Sequence, residues 1–213
     1  MILAVLSTKG GTGKSTVALN LTGALSRANH KVLLIDADPQ GSIARWAKEG
    51  RQDSLDVLVH PDPVAEKKVQ KKGKKYDLVI FDSPPTFKKR VQAVLQAADR
   101  LIIPVTPGMA DVWSTARLID MYLDVKEKRP NLDARLLINR VDRRTRLGRE
   151  FRGVLERLSI PIFLTEIPQR AAYGEAWLKG MTVDRLAPKG AAAQDFRRLS
   201  REVLQWIAKG WLE

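Results

Sequence analysis

Residues 9–16 read Lys-Gly-Gly-Thr-Gly-Lys-Ser-Thr and follow a short apolar run at residues 2–6. After them, apolar residues recur at helical spacing at Val17, Leu21 and Leu25. The apolar run predicts a strand buried on both faces, so the glycines join a strand to a helix. Small residues let backbone N–H groups converge on an anion, which also meets the positive end of the helix. The stretch therefore predicts a phosphate-binding loop, in which Lys14 adds a point charge and the Ser15 hydroxyl can ligate Mg²⁺.

The rest of the chain alternates between strand and helix patterns. Further strands are predicted at residues 32–35, 55–59, 78–81, 101–105, 134–138 and 161–164. Helices are predicted around residues 43–47 and at 87–97, 110–128, 145–158, 173–179 and 192–208, and residues 62–75 predict a very basic helix or loop. This alternation predicts one α/β domain over residues 1–213, with a mostly parallel twisted sheet and helices on both faces.

Composition narrows the classes of function. The 213 residues include no cysteine and two histidines, which excludes a disulfide scaffold, a cysteine nucleophile and thiolate metal sites, and disfavours a histidine metal centre. Lys and Arg total 37 against 24 Asp and Glu, a net charge of +13. So basic a domain predicts a polyanionic partner, with a solvated basic surface as the alternative. No apolar run approaches 18 residues, and no targeting signal is recognisable, so we expect a cytoplasmic protein.

Three acids follow predicted strands. Residues 33–40 read Leu-Leu-Ile-Asp-Ala-Asp-Pro-Gln and include Asp36 and Asp38, and Asp82 ends the strand at 78–81. Open α/β sheets bind ligands at the carboxyl ends of their strands. A hydrophobic strand that ends in one acid is the Walker B arrangement, which predicts that Asp82 holds Mg²⁺ through water. Each acid taken alone could instead cap a helix.

The loop departs from the general phosphate-loop pattern, because Thr8 stands where a glycine is expected and a second lysine, Lys9, opens the loop. The string resembles the deviant Walker A box of the ParA/MinD family of P-loop ATPases. The resemblance implies a P-loop NTPase fold that binds ATP or ADP with Mg²⁺. It implies catalytic roles for Lys9, Lys14 and Asp38: Asp38 orients the attacking water, and Lys9 reaches the nucleotide of a partner subunit.

The same resemblance assigns the remaining site residues. Asp36 is expected in the magnesium and phosphate network, and Ser15 and Asp82 are the expected metal ligands. Segments 136–140 and 167–180 match the family's base-binding strand and C-terminal segment. The expected nucleotide-binding residues are Lys9, Gly10, Gly11, Thr12, Gly13, Lys14, Ser15, Thr16, Asp36, Asn139, Arg140, Pro168, Gln169 and Arg170. Asn139 could equally be a strand-end turn residue.

Because the sequence begins at the first strand, it resembles the short ParA type. This implies an ATP-dependent homodimer that binds DNA non-specifically, and a small centromere-binding or adaptor protein that stimulates a slow ATPase. It also implies a cytoplasmic, nucleoid-associated protein with no membrane partner. The expected DNA-binding residues are Arg143, Arg144, Arg146, Arg149, Arg152, Arg197, Arg198 and Arg201.

Three other functions remain open. One is a MinD-like membrane-cycling ATPase, although no convincing amphipathic membrane helix closes the sequence. Another is a metabolic enzyme of the same superfamily, whose iron–sulfur version the lack of cysteine rejects. The last is a nucleotide-gated binding module with negligible turnover. The cargo of a positioning ATPase could be a plasmid, a chromosome, a carboxysome or another assembly.

Overall fold

The computed structural model describes residues 1–38, 40–50, 55–59, 74–83 and 88–209. The strands are β1 (Ile2–Val5), β2 (Val32–Asp36), β3 (Asp56–Val59), β4 (Leu78–Asp82), β5 (Arg100–Val105), β6 (Asp133–Val141) and β7 (Ile167–Pro168). The helices are α1 (Lys14–Arg27), α2 (Ser42–Glu49), α3 (Lys88–Ala97), α4 (Met109–Lys126), α5 (Arg146–Leu155), α6 (Ala171–Leu178), α7 (Val183–Leu186) and α8 (Ala191–Lys209). A 3-10 turn at Glu156–Leu158 follows α5.

The described strands form one sheet in the order β3-β2-β4-β1-β5-β6-β7. Every pairing between them is parallel, which confirms the predicted α/β fold. The phosphate loop follows the central strand β1. Because all strands run the same way, the residues after β1, β2, β4 and β6 meet at one edge of the sheet.

The sheet is buried on both faces, as β1 illustrates. Leu3 and Val5 pack into a core cluster with α1 and α8, and Ala4 and Leu6 pack into a second cluster with α3, α4 and α5. Successive side chains of a strand point to opposite faces, so this alternation places helices on both sides. On the last helix, the apolar side chains of Phe196, Leu199, Val203 and Ile207, which recur at helical spacing, are buried.

The predicted strand at 161–164 is wrong: the segment has only an isolated bridge from Ile162 to Leu136. Its end is held by a side chain instead, because the Glu202 carboxylate accepts hydrogen bonds from the backbone N–H groups of Leu164 (2.6 Å) and Thr165 (2.9 Å). The basic segment 62–75 lies outside the described residues except for its last two positions. Among the described helices, none has the length and hydropathy to cross a membrane.

Candidate nucleotide-binding site

The turn between β1 and α1 has the backbone shape of an anion cradle. Gly11 and Gly13 adopt left-handed angles, with φ of 80° and 85°, a region that favours glycine. A Cβ on Gly13 would also lie 2.4 Å from Nδ2 of Asn139. Helix α1 begins at Lys14 with no side-chain cap and no acid in its first turn. Its first N–H groups are therefore available to a bound anion.

Lys14 places a buried cation in this turn. The residue is 7% exposed, and its Nζ donates to the backbone carbonyl of Lys9 over 3.3 Å. Burial lowers the pKa of Lys14, and attraction to Asp82 and Asp38 offsets only part of that effect. A phosphate group would supply both negative charge and acceptors for the remaining ammonium protons.

Asp36 shapes the turn that carries Asp38. It ends β2 opposite Asp82 of β4, and both acids are fully buried. The Asp36 carboxylate accepts hydrogen bonds from the N–H groups of Asp38 (3.1 Å) and Ala44 (2.8 Å). Burial raises the pKa of Asp36. These bonds assign Asp36 a structural role, and its place in a magnesium and phosphate network stays a prediction.

Asp82 is a fully buried carboxylate, and neither of its oxygens has a hydrogen-bond partner among the described residues. Burial raises the pKa of Asp82 to about 7; Asp36 and Asp38 add to this, and the nearby Ser15 hydroxyl and Lys14 oppose it. Because buried carboxylates are normally hydrogen-bonded or coordinated, these oxygens fit a hydrated Mg²⁺. No group of three Asp, Glu or His side chains in the described ranges could hold a metal alone, so the ion would need phosphate oxygens as further ligands.

The phosphate loop, Lys14 and Asp38 line a pocket of about 340 Å³, within the range of small-molecule sites. Asp36 and Asp82 end the neighbouring strands and are not among the described lining residues. Its lining residues are Gly10, Gly11, Gly13, Lys14, Ser15, Thr16, Asp38, Ser42, Arg140 and Trp177. The structure thus brings the loop, Asp38 and Arg140 together as the sequence predicts. Sequence reasoning missed Ser42, the first residue of α2, and Trp177, near the end of α6. No motif marks either residue.

The end of β6 braces the loop. Asn139 donates through Nδ2 to the carbonyl of Thr12 over 2.7 Å. Arg140 has a left-handed φ of 55° and donates to the carbonyl of Gly11 and to Oε1 of Gln169, each over 3.0 Å. Both residues were expected beside the base. Their observed role is to hold loop carbonyls, and direct contact with a base stays a prediction.

Arg170 is engaged in the scaffold. Its Nε donates to the buried carboxylate of Asp195 on α8 over 2.6 Å, and the Tyr173 hydroxyl donates to the same oxygen over 3.2 Å. These bonds fix the start of α6 to α8. Neither Pro168, Gln169 nor Arg170 is among the described residues lining the pocket, so their nucleotide contacts remain predictions.

Lys9 is held within its own chain, outside the pocket lining. Its Nζ forms an ion pair with Oδ2 of Asp111 in the first turn of α4. The Thr106 hydroxyl donates to the other Asp111 oxygen over 2.6 Å. Thr8 is tied to the same helix through a 2.7 Å hydrogen bond between its hydroxyl and that of Ser114. Two residues at the front of the loop are thus docked on α4.

Some of the predicted DNA-binding arginines are free to meet a partner. The side chains of Arg144 and Arg146 are 91% and 84% exposed and pair with neighbouring acids, Asp142 and Glu150. Hydrogen bonding by Arg144 lowers the pKa of Asp142 to about 2. Arg201 on α8 is exposed as well. A guanidinium has five N–H donors, so one pairing leaves others for phosphates.

Other members of the set support the fold. Glu166, whose side chain is 7% exposed, pairs with one arginine in the turn before α5 and with another on α5. Two further buried acids, Asp184 and Asp195, form ion pairs that attach α8 to neighbouring segments. The pairs are Arg143 and Arg152 with Glu166, Arg197 with Asp184, and Arg198 with Asp195. Arg149 donates to the backbone carbonyls of residues 143 and 144. Removing Arg197 would leave Asp184 buried without its ion-pair partner, and removing Arg152 would leave Glu166 with Arg143 alone.

The predicted DNA-binding arginines form two groups, one at residues 143–152 and one at 197–201, and residues 163–166 connect α5 and α8, the helices that carry most of them. Arg152 of α5 donates to the carbonyl of Phe163 over 2.9 Å, and Glu202 of α8 accepts from the next two N–H groups. Helices α5 and α8 therefore both contact this one segment.

This fold and site define a nucleotide-binding protein of the phosphate-loop class. The sequence model of the CobQ/CobB/MinD/ParA nucleotide-binding domain matches residues 3–183. The chain therefore belongs to this family, which confirms the resemblance drawn from the loop.

Curated relatives and solved structures agree. The chain is 32% identical over 209 residues to maintenance of carboxysome distribution protein A from Halothiobacillus neapolitanus, covering 95% of each chain. It is 36% identical to the Gloeobacter kilaueensis protein of the same name, covering 95% of this chain and 93% of that one. The septum site-determining protein MinD of Pyrococcus horikoshii, complexed with Mg-ADP, superposes with a TM-score of 0.75 at 22% identity, covering 98% of each chain. That structural likeness supports the fold.

Proposed function

We propose that this protein is an ATPase that dimerises around ATP, binds DNA non-specifically and positions a cargo when a partner protein stimulates hydrolysis. The observation that carries the proposal is the pocket itself. An uncapped helix N-terminus and a buried lysine line it together with Asp38. Asp82, a buried acid whose oxygens have no hydrogen-bond partner among the described residues, ends the strand beside β1. This set matches the charges of a Mg²⁺-bound triphosphate and offers a carboxylate for a water molecule.

The residues take distinct parts in this chemistry. The loop N–H groups and Lys14 bind and neutralise the phosphates. Ser15 and Asp82 would hold the Mg²⁺, which supplies charge neutralisation at the β- and γ-phosphates when bound. Asp38 aligns the attacking water. Phosphoryl transfer needs mainly positioning and charge stabilisation, and one further positive charge is assigned to Lys9 of a second subunit.

An apolar surface beside Lys9 supports the dimer. Met109 and Trp113 are 53% and 63% exposed, and they lie on the same turns of α4 that bind Lys9 and Thr8. Residues four apart lie on one face of a helix, so the two side chains form one patch. Large exposed aromatic residues are favoured anchors of protein interfaces. A second copy of the chain would cover this patch when Lys9 reaches its nucleotide.

Trp113→Ser is expected to weaken ATP-dependent dimerisation by roughly 10-fold or more, as removal of an interface anchor does. Because the side chain is exposed, the substitution should leave the folded chain intact. Leu123→Ser is the matched control, because Leu123 is 47% exposed but lies ten residues, about 15 Å, further along the same helix. Analytical ultracentrifugation with a non-hydrolysable ATP analogue measures both. Equal dimer affinities in the two variants would remove α4 from the interface.

The arginine groups support DNA binding through phosphate contacts, without a reading helix. Names of the curated relatives refer to carboxysome distribution, and we extend cargo positioning to this chain. The cargo itself, plasmid, chromosome, carboxysome or other, is left open, and a small centromere-binding or adaptor protein is the proposed stimulator. A cytoplasmic, nucleoid-associated location follows from the DNA contact.

The triple variant Arg144→Ala, Arg146→Ala, Arg201→Ala is expected to weaken DNA binding and to reduce the salt slope by about 2 to 3, roughly one for each phosphate that is no longer neutralised. Its thermal stability should stay close to that of the unaltered protein, because the exposed ion pairs contribute little. Arg152→Ala should instead destabilise the fold, by leaving Glu166 with less compensation. Electrophoretic mobility shifts with ATP across a salt series measure the slope. An unaltered slope in the triple variant would contradict this surface.

Turnover and sizing test the proposal as a whole. ATP hydrolysis is expected to be slow alone and to rise with DNA and partner protein, and the protein should elute as a dimer in ATP and a monomer in ADP. Binding to anionic liposomes without DNA binding would favour a MinD-like membrane cycle. Turnover that depends on a small-molecule substrate would favour a metabolic enzyme.

A further inference from the structure

We infer that the indole of Trp177 is the surface against which the base of the bound nucleotide stacks. This deepens the proposed function and rests on it. The loop, Lys14 and Asp38 account for the phosphates and the reacting water. Of the residues expected beside the base, only Arg140 is among the described residues lining the pocket, and none of them is aromatic. Trp177 lines the same pocket and supplies its one aromatic surface among the described lining residues.

The composition of the pocket points to this residue. Apart from Trp177, its described lining consists of glycines, hydroxyl residues and charged residues. A flat heterocyclic base gains binding energy from stacking on an aromatic face, and every base has such a face. Arg140, the other large side chain that lines the pocket beside the loop, is tied to the Gly11 carbonyl and to Gln169. Arg140 and Trp177 thus both lie at the wall of the pocket that a nucleoside would enter.

The scaffold fixes the indole in place. Trp177 follows Tyr173 by four residues, so the two side chains share one face of α6. Tyr173 packs edge-on against Phe196, with ring centroids 5.7 Å apart, and hydrogen bonds to Asp195, which also holds Arg170. Trp177 itself packs against the core cluster of α1 and α8 while staying partly exposed.

Its exposure distinguishes it from core tryptophans. Trp46 and Trp206 are each 3% exposed, as expected for side chains whose role is packing. Trp177 keeps part of its ring at the wall of a pocket. An aromatic ring anchored on one side loses little conformational entropy when a ligand stacks on the other. Arg170 and Asp195, which are not among the described residues lining the pocket, then act as positioning residues for α6.

The test compares a nucleotide with a phosphate chain that has no base. Binding of Mg·ADP and of Mg·tripolyphosphate to the full chain is measured by calorimetry for Trp177→Leu and Trp177→Phe. Trp177→Leu is expected to weaken Mg·ADP by roughly 10- to 100-fold, the range for removal of one base–aromatic stack. Tripolyphosphate affinity should change less than about 2-fold, and Trp177→Phe should recover most of the ADP affinity because it retains an aromatic face.

Leu178→Ala is the control for the helix end, because Leu178 neighbours Trp177 and is 88% exposed. The ADP affinity of this variant should match that of the unaltered protein. A spectroscopic readout is independent: ADP should change tryptophan emission in the unaltered protein, and this change should be absent in Trp177→Phe. Unchanged ADP affinity in Trp177→Leu, or equal weakening for ADP and tripolyphosphate, would overturn the inference. Failure of the unaltered protein to bind either ligand would instead overturn the proposed function.

Discussion

Lys9→Ala is expected to lower partner-stimulated ATP hydrolysis by on the order of 100-fold or more and to abolish ATP-dependent dimerisation. The reason is that a cation supplied from a second subunit to the γ-phosphate is among the largest single contributions to phosphoryl transfer. Phosphate release with DNA and partner, and light scattering with a non-hydrolysable analogue, measure the two effects. Lys126→Ala, a change of another partly exposed lysine on α4, is the control. Unchanged turnover in Lys9→Ala would reject a role in the partner's site.

Asp111→Asn should move the dimer equilibrium in the opposite direction. In the single chain, Lys9 is paired with Asp111 and must leave it to reach a partner. The Lys9 side chain is 41% exposed, so the pair contributes about 1 kcal/mol at most. The variant should therefore dimerise at roughly 5-fold lower ATP. Weaker dimerisation would show that Asp111 positions Lys9 for the partner instead of retaining it.

Asp82→Asn is expected to stabilise the nucleotide-free protein above neutral pH and to remove Mg²⁺-dependent nucleotide binding. Burial raises the pKa of Asp82 from 3.8 to about 7, so between these values the folded state keeps a proton that the unfolded state loses. The free energy of unfolding of the unaltered protein therefore falls as pH rises through this window, by about 1.4 kcal/mol per unit relative to the variant. Above pH 7 the difference is constant, at on the order of 4 kcal/mol.

Urea unfolding at pH 5 and pH 8, without Mg²⁺ or nucleotide, measures this difference. Asp120→Asn, on the exposed face of α4, should show the pH dependence of the unaltered protein. Calorimetry with Mg·ADP at pH 8 then reports the effect on nucleotide binding. Parallel pH profiles for the unaltered protein and Asp82→Asn would mean that Asp82 is not the buried charge that limits stability.

Several parts of the site follow from contiguous residues. An apolar run, a glycine turn and a helical repeat specify the strand–loop–helix unit, because strand burial, positive φ and helix initiation are local properties. The same reasoning placed Asp38 and Asp82 at strand ends, and parallel alternation brought those ends to one edge. The incorrect strand at 161–164 shows the limit. Its apolar pattern is strand-like, but the Glu202 carboxylate on α8 accepts hydrogen bonds from the N–H groups of Leu164 and of the following Thr165.

Local sequence patterns do not predict side-chain partners that lie far apart in the sequence. Lys9 and Asp111 are 102 positions apart, and Asn139 and Thr12 are 127 apart. Which arginines pair with buried acids depends on how α5 and α8 pack against the rest of the chain, because Glu166 and Asp184 lie far from Arg152 and Arg197 in the sequence. In the sequence, Trp177 is one more apolar residue of a short helix, and only the folded chain places it at the pocket.

The amino-acid order alone specified the phosphate loop, the strand–helix alternation and the acids at the strand ends, because each depends on interactions between near neighbours in the chain. The docking of Lys9 on α4, the bracing of the loop by Asn139 and Arg140, and the position of Trp177 at the pocket wall were established by the folded chain. These contacts require helices and loops from separate parts of the sequence to pack at one edge of the sheet, and no local pattern records which side chains then meet.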